Sequence, residues 1–331
     1  MEQLINLVAS LSQAEKRQFK LANKKLATTG GYFYLFGLIE KLRYADWETI
    51  KKEFKNKYPS ASIESAAAYL YKLVLEALVQ NKVKNDEAYK LLNSLLQIKI
   101  LKERNLHANA YFEIKKNEKR AEKYQELPIL YFLKREELNY LSQNNYSGIK
   151  EKELIAKQVA AKDILRDLRN IQEHHTLYEL LKHRLNNTSQ ILSEQSKTEL
   201  NDLVFSEIAI INTNTKQSLE SKKLHLLFQS FYFIKTGDYR SALRTFYILN
   251  ELYENKLLNL QHPPIDYYAM LDGILDSLRM IDHYDEMDYF LNKLALLQKN
   301  EYPEYFKLLV KKTILLNRLR MVSYERKWEE A

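Results

Sequence analysis

Residues 224–252 read LHLLFQSFYFIKTGDYRSALRTFYILNEL. Leu224–Ile234 is almost wholly apolar and reads as a helix. Thr236-Gly237-Asp238 breaks it, and a second, amphipathic helix starts at Tyr239. The stretch is therefore a helical hairpin, and the rest of the chain can be read as variations on that unit. A helix that is apolar nearly all round has to be covered on both sides. So Leu224–Ile234 is either the buried centre of a helical stack, wrapped by the helices predicted over 151–185, or a hydrophobic groove that awaits a partner. We favour the buried centre.

Composition narrows the class. Six glycines and five prolines punctuate 331 residues. Glycine is far below its usual share of about 7 %, too scarce for the tight turns of strand-rich or Rossmann-like folds. Leu, Lys, Glu, Ala and Asn favour long helices with short polar loops. The chain contains no cysteine, so disulfides, thiolate metal sites and thiol nucleophiles are excluded. The start, MEQLINLVASLSQAEKRQF, has neither the basic segment nor the long apolar segment of a secretory signal. No apolar run approaches the length that spans a membrane. The net charge is +8. Opposite charges interleave on most helices, and the positive excess gathers at Lys16–Lys25, Lys99–Lys123 and Lys307–Lys327.

Local signals place the helices. Ser12 and Glu15 form a capping box that opens a helix at Gln13. Helices follow over Tyr34–Arg43, after the Asp46 cap with Pro59 as the stop, and over Ala66–Gln80 with Tyr69, Leu70, Leu73, Leu75 and Leu78 as apolar positions. These four helices form the expected N-terminal unit, 1–84. A repeat region, 85–331, follows. It opens with a helix capped by Asn85 and one at Ala108–Gln125 that exposes Lys115, Lys116, Lys119, Arg120 and Lys123. Pro128 opens the next. Residues 151–185 are one helix bent near His174-His175, or two. A second capping box, Ser196 and Glu199, opens Thr198–Ile211, and the polar stretch 212–222 is the best internal boundary. The final helix, Tyr305–Tyr324, reads as a cap with one face on the stack and one in solvent.

The hairpin at 224–252 carries Gly237-Asp238-Tyr239-Arg240-Ser241-Ala242, which resembles the Gly-x-Tyr-x-x-Ala turn of a tetratricopeptide (TPR) repeat. Gly237 tolerates the backbone of a helix exit, Tyr239 fills the gap between helices, and Ala242 is small where the helices cross, opposite Ser230. The turn recurs 45 residues on at Asp282-His283-Tyr284-Asp285-Glu286-Met287, and more faintly at Asn105-Leu106-His107-Ala108-Asn109-Ala110. Asp282 and Asn105 stand where the glycine would be. The remaining hairpins show no such motif. The resemblance implies an all-α, right-handed superhelix (α-solenoid) of antiparallel hairpins. The whole chain, its LSQAEKRQFK start included, also resembles a bacterial family of TPR-like proteins, which implies a cytoplasmic location and assigns no site.

There is no phosphate-cradling glycine loop and no nucleophile elbow. His175, Glu179 and His183 stand at i, i+4 and i+8, a spacing that can hold a metal, with His174 beside them. A single helix usually supplies only two ligands, so the expectation is a solvated face and no metal. Aromatics beside lysines could stack bases, but most follow the apolar stripes and fill helix gaps. No cofactor and no catalytic role are expected.

What remains is binding. The expected function is a non-catalytic scaffold that takes a peptide or protein segment on a TPR-like concave surface. The alternative is a nucleic-acid-binding helical repeat that uses the basic faces. By the resemblance, the first helix of each hairpin lines the groove. In the second copy this points to Asp272, Asp276 and Arg279, which face away from Leu271, Ile274 and Leu278. In the first copy the corresponding positions, Phe231 and Ile234 among them, are apolar.

Overall fold

A computed structural model describes residues 2–23, 31–42, 46–186, 200–213, 218–254, 264–299 and 302–329. The Ser196–Glu199 capping box and the 214–217 part of the internal boundary lie outside these residues. Among those described, every regular element is helical. The chain divides into two compact units, 1–86 with 293–331, and 87–292. The sequence reading ends the first unit at residue 84 and runs the repeat region to 331; the structure instead groups 293–331 with the N-terminal helices.

The first unit opens with α1 (Glu2–Ser10), a helix the sequence signals do not mark, and α2 (Gln13–Ala22). The capping box is formed: the Glu15 amide donates to Ser12 Oγ at 3.3 Å and the Ser12 amide donates to Glu15 Oε2 at 2.8 Å. Then come α3 (Gly31–Lys41), α4 (Trp47–Lys57), capped by Asp46 through the Thr49 amide at 3.2 Å, and α5 (Ile63–Asn85). Ser62 accepts from the Ser65 amide and starts α5 one turn earlier than the apolar pattern suggests. Helix α3 packs on α1, α4 and α5. The core runs through Leu4, Phe19, Leu35, Phe36, Phe54 and Leu70, with the Phe19 and Phe36 rings 4.7 Å apart. On α5 the inward stripe is Ile63, Ala67, Leu70 and Val74, while Tyr69 and Leu75 face solvent. Asn85 does not cap the next helix. It is the last residue of α5, and its side chain donates back to the Asn81 carbonyl. The long helix α15 (Glu304–Glu329) belongs to this unit.

The second unit contains α6 (Glu87–Glu103), α7 (His107–Tyr124), α8 (Leu127–Gln143), α9 (Glu151–Asn186), α10 (Asn201–Thr213), α11 (Leu219–Thr236), α12 (Tyr239–Glu254), α13 (Ile265–Met280), the 3-10 turn Tyr284–Glu286, and most of α14 (Met287–Ala295). Helix α9 is one continuous helix through His174-His175. Packing follows chain order: α6 on α7, α7 on α8, α8 on α9, α9 on α10 and α11, α11 on α12, α12 on α13.

The exits of these helices share one backbone device. Asn105, Gly237 and Asp282, the three positions aligned on the TPR glycine, all adopt positive φ, at 58°, 79° and 59°. At each, the amide of that residue bonds three residues back and the next amide bonds five back: Asn105 to Lys102 and Leu106 to Leu101, Gly237 to Ile234 and Asp238 to Phe233, Asp282 to Arg279 and His283 to Leu278. This is the Schellman closure, which satisfies the last helical carbonyls. Gln125 and Asn145, where no motif is visible in the sequence, end α7 and α8 in the same way. The residue that each motif aligns on the TPR alanine, Ala110, Ala242 or Met287, is buried.

Candidate functional site

The polar face of α13 is the expected ligand face. The 3.6-residue period turns Leu271, Ile274 and Leu278 inward, fully buried, and leaves Asp272 exposed with Asp276 and Arg279 half-buried. Arg279 Nη2 donates to Asp276 Oδ1 at 2.6 Å, one turn back. Its Nε is buried and has no acceptor among the described residues. The guanidinium lies within electrostatic reach of Tyr239 and Tyr284, the tyrosines of the two clear turn motifs. On α12, Tyr247 stacks on Phe290 with ring centroids 5.8 Å apart, and its hydroxyl donates to Glu286 at 2.9 Å. Burial first, and then the Glu286 carboxylate, raise the Tyr247 pKa. The result is a semi-buried polar and aromatic surface on which Asp272 and Asp276 supply acceptors.

Phe231 and Ile234 lie elsewhere, on α11, and both are half-buried. The Phe231 ring meets Tyr178 of α9 edge-on at 5.7 Å, with the Lys182 ammonium 5.7 Å from its centroid. Burial, with the charge of Asp266 behind it, pushes the Tyr178 hydroxyl up to about 12. The structure brings together Asp272, Asp276 and Arg279, and seats Phe231 in the seam between α9 and α11.

The basic stretch on α7 proves largely neutralised. Lys115 reaches Glu118 at 2.5 Å and Glu137 at 2.9 Å, Lys116 reaches Glu113 at 3.2 Å, and Arg120 reaches Glu87 at 2.7 Å. Lys102 pairs with Glu136. Glu118 and Glu137 are almost completely buried, and Lys134 and Lys157 complete their cluster. Burial, and then the Glu137 charge, raise the Glu118 pKa in spite of its lysines. Burial also pushes Glu137 up, but hydrogen bonds from Lys157 and Lys115 outweigh it and hold that carboxyl low. Lys115 and Arg120 are therefore half-buried linchpins between helices, not the open basic face expected from the sequence. Lys119 and Lys123 remain exposed. Of the first basic cluster, Lys16 is buried and Lys20 pairs with Glu40 at 2.5 Å.

The histidines divide. Glu179 and His183 are exposed and His175 half-buried, whereas His174 is sealed at 2 % exposure. It faces His225 of α11 at a ring separation of 6.3 Å, and His225 Nδ1 contacts Glu207 of α10. Asn170 and Ser221 join the same interior at 3.4 Å. His174 Nε2 has no hydrogen-bond partner among the described residues, and burial pushes its pKa down. Glu207 and His225 escape sequence inspection because three helices must pack before they meet His174. Among the described residues, no group of three or more His, Asp or Glu is arranged to hold a metal. No helix of the described residues is long and apolar enough to cross a membrane. No protein-family model, no curated protein and no solved structure matches the chain.

Proposed function

We propose that the chain is a non-catalytic scaffold that binds a peptide or protein segment, and that residues 87–292 form a TPR-like, right-handed α-solenoid whose inner surface includes the polar face of α13. The observation that carries this is the packing order of the second unit, in which α6 to α9 and α11 to α13 each lie on the next helix in the chain, α11 also lies back on α9, and five helix exits repeat one turn geometry. Elements that bury their faces only against neighbours leave an extended free surface, the usual seat of a bound segment. On that surface Asp272 and Asp276 supply acceptors and Arg279 a donor, which act as a polar rim that orients a ligand. The His174–Glu207–His225 interior supports the non-catalytic reading: His174 and Glu207 are sealed at 2 % and 3 % exposure, which leaves a substrate no route to them. The ion pairs on α7 weigh against the nucleic-acid reading, because they remove its principal open basic face.

The test is affinity capture from the native cell extract with the wild-type chain and with the double variant Asp272→Lys, Arg279→Glu. Recovery of a protein partner that survives nuclease treatment and is lost with the double variant supports the proposal. Recovery of RNA alone, lost on nuclease treatment, overturns it.

A further inference from the structure

Helix α15 has two opposite apolar faces, and only one is buried. Phe306, Val310 and Ile314 are buried on one side, and Asn317 is buried with them. On the opposite side Tyr305, Leu308, Leu315, Leu319 and Val322 are 45–64 % exposed. With Lys312, these outward residues stand at 305, 308, 312, 315, 319 and 322, a 3–4–3–4–3 spacing. That is the a/d register of a coiled coil, with Tyr305, Lys312 and Leu319 at a and Leu308, Leu315 and Val322 at d. The seam runs about 26 Å at 1.5 Å per residue. A row of apolar side chains in strict heptad phase fits one partner helix better than a flat surface.

The charges on this face select the partner. Glu304, at the g position before Tyr305, is taken up by Lys307 at 2.7 Å; beyond it Lys311 and Arg318 occupy the g positions and Lys312 sits within the seam. All three are exposed, and none makes an ion pair with a described residue. No acidic residue lies on this face between Tyr305 and Tyr324. A second copy of the helix fits poorly. In parallel register Lys312 would meet its counterpart at the a layer, and in antiparallel register the g-position cations would line up on one another. A lipid surface would place the Lys312 ammonium at the middle of the buried stripe, where a charge is costly. A helix with carboxylates flanking its own apolar seam meets both needs.

We propose that the outward face of α15 docks an acidic amphipathic helix of another protein in coiled-coil register. This site lies on the first unit and is independent of the α13 face.

The test uses the full chain and a labelled three-heptad peptide with Leu at a and d, Glu at e and g, and one Glu at the a position that meets Lys312. Its glutamates repel one another and keep it monomeric. The control peptide has Lys at every one of those Glu positions. Fluorescence anisotropy at moderate salt is expected to show the acidic peptide binding at least tenfold tighter than the basic one. Leu315→Glu and Leu319→Glu are each expected to weaken it at least tenfold, and Lys312→Glu to narrow the preference between the two peptides. The α13 double variant is expected to bind the acidic peptide as the wild type does, so failure here and failure of the scaffold reading are separable. No binding of the acidic peptide, or equal binding of both peptides, overturns the proposal. So does a wild-type dimer in sedimentation equilibrium that Leu315→Glu dissociates, which would make a second copy the occupant. Binding of a labelled single-stranded RNA, or of vesicles containing phosphatidylserine, that Leu315→Glu abolishes would also overturn it. A large fall in melting temperature for Leu315→Glu would show the face to be core, with the same consequence.

Discussion

Helices α11 and α15 pose the same problem and meet it differently. Each carries apolar residues on more sides than a surface helix needs. From Leu224 to Thr236 no residue of α11 is exposed, because α9 lies on one side and α12 on the other. Leu177, Leu181, Leu203 and Phe228 join in the resulting core. On α15 the second apolar face is open, with Leu308 at 63 % and Leu319 at 64 % exposure. Apolar surface removed from water stabilises a fold by about 25 cal/mol per Å², so α11 contributes within the chain what α15 holds in reserve for a partner. An apolar helix is thus core or docking surface according to what its neighbours cover. Small polar residues point the same way. Ser221 and Ser230 on α11 are wholly buried, with Ser230 Oγ turned onto the Leu226 carbonyl at 2.7 Å, which lets neighbouring helices approach closely.

The largest expected effect tests the covered side. Phe228→Ala removes a ring that is 3 % exposed in the α9–α10–α11 core, and is expected to cost about 3–5 kcal/mol of unfolding free energy in urea titration. A loss below about 1 kcal/mol would mean that α11 is not covered as described, and would dissolve the comparison. Next in size is Gly273→Ala on α13. A Cβ there would stand 2.6 Å from Phe246 Cζ of α12, and that ring is itself buried. Overpacking of this kind costs about 1–3 kcal/mol, partly offset by the better helix propensity of alanine, worth about 1 kcal/mol. A net loss of up to about 2 kcal/mol is expected in the same titration. A gain in stability would show that α12, the second cover of α11, packs on α13 more loosely than the structure has it.

The covered helix was more legible in the sequence than the open one. The all-round apolar run of Leu224–Ile234 announces itself, and Gly237 marks its end through a backbone need that sequence displays directly. Asn105 and Asp282 were readable for the same reason, since both tolerate positive φ better than most residues. Gln125 was not, because glutamine has no such tolerance and the Schellman closure is made of backbone bonds; Asn145 has the tolerance but no turn motif beside it. For Asp272, Asp276 and Arg279 the resemblance singled out the helix, and helical period then set them on its polar face. By contrast, the meeting of His174, His225 and Glu207 depends on how three helices pack. The sequence assigns α15 one face on the stack and one in solvent, but does not mark the solvent face as apolar. Only burial separates Phe306, Val310 and Ile314 from Leu308, Leu315 and Leu319, and the heptad becomes visible once the inward residues are removed.

The third effect is pH-dependent and concerns the cover of α11 by α9. His174 faces Glu207, His225, Glu173 and His175, and burial holds its pKa below the ordinary histidine value in spite of the two carboxylates. Above a pH of about 6.5 it is neutral in both states and adds no pH dependence. As pH falls below that value the unfolded chain takes the proton first, so stability drops until pH passes the folded pKa. The slope from this one group is at most about 1.4 kcal/mol per pH unit. Urea unfolding at pH 7.5 and 5.5 is expected to show a larger loss for the wild type than for His174→Gln. Equal losses would mean that the seam between α9 and α11 is more hydrated than its 2 % exposure of His174 states.

The smallest effect is also the sharpest contrast with Phe228. Leu315→Ala truncates a leucine that is 56 % exposed on the outward face of α15, where little area leaves water on folding. Substitutions at such positions usually change stability by less than about 0.5 kcal/mol, and that is the expected outcome for the isolated chain in urea titration. Ile314→Ala, one residue earlier on the same helix, removes a side chain that is 7 % exposed and is expected to cost about 2–5 kcal/mol. The two neighbours share helix, chemistry and size, so the difference between them measures coverage alone. If both substitutions cost the same, the outward face is packed in solution, and α15 would join α11 as a helix whose apolar surface is already used.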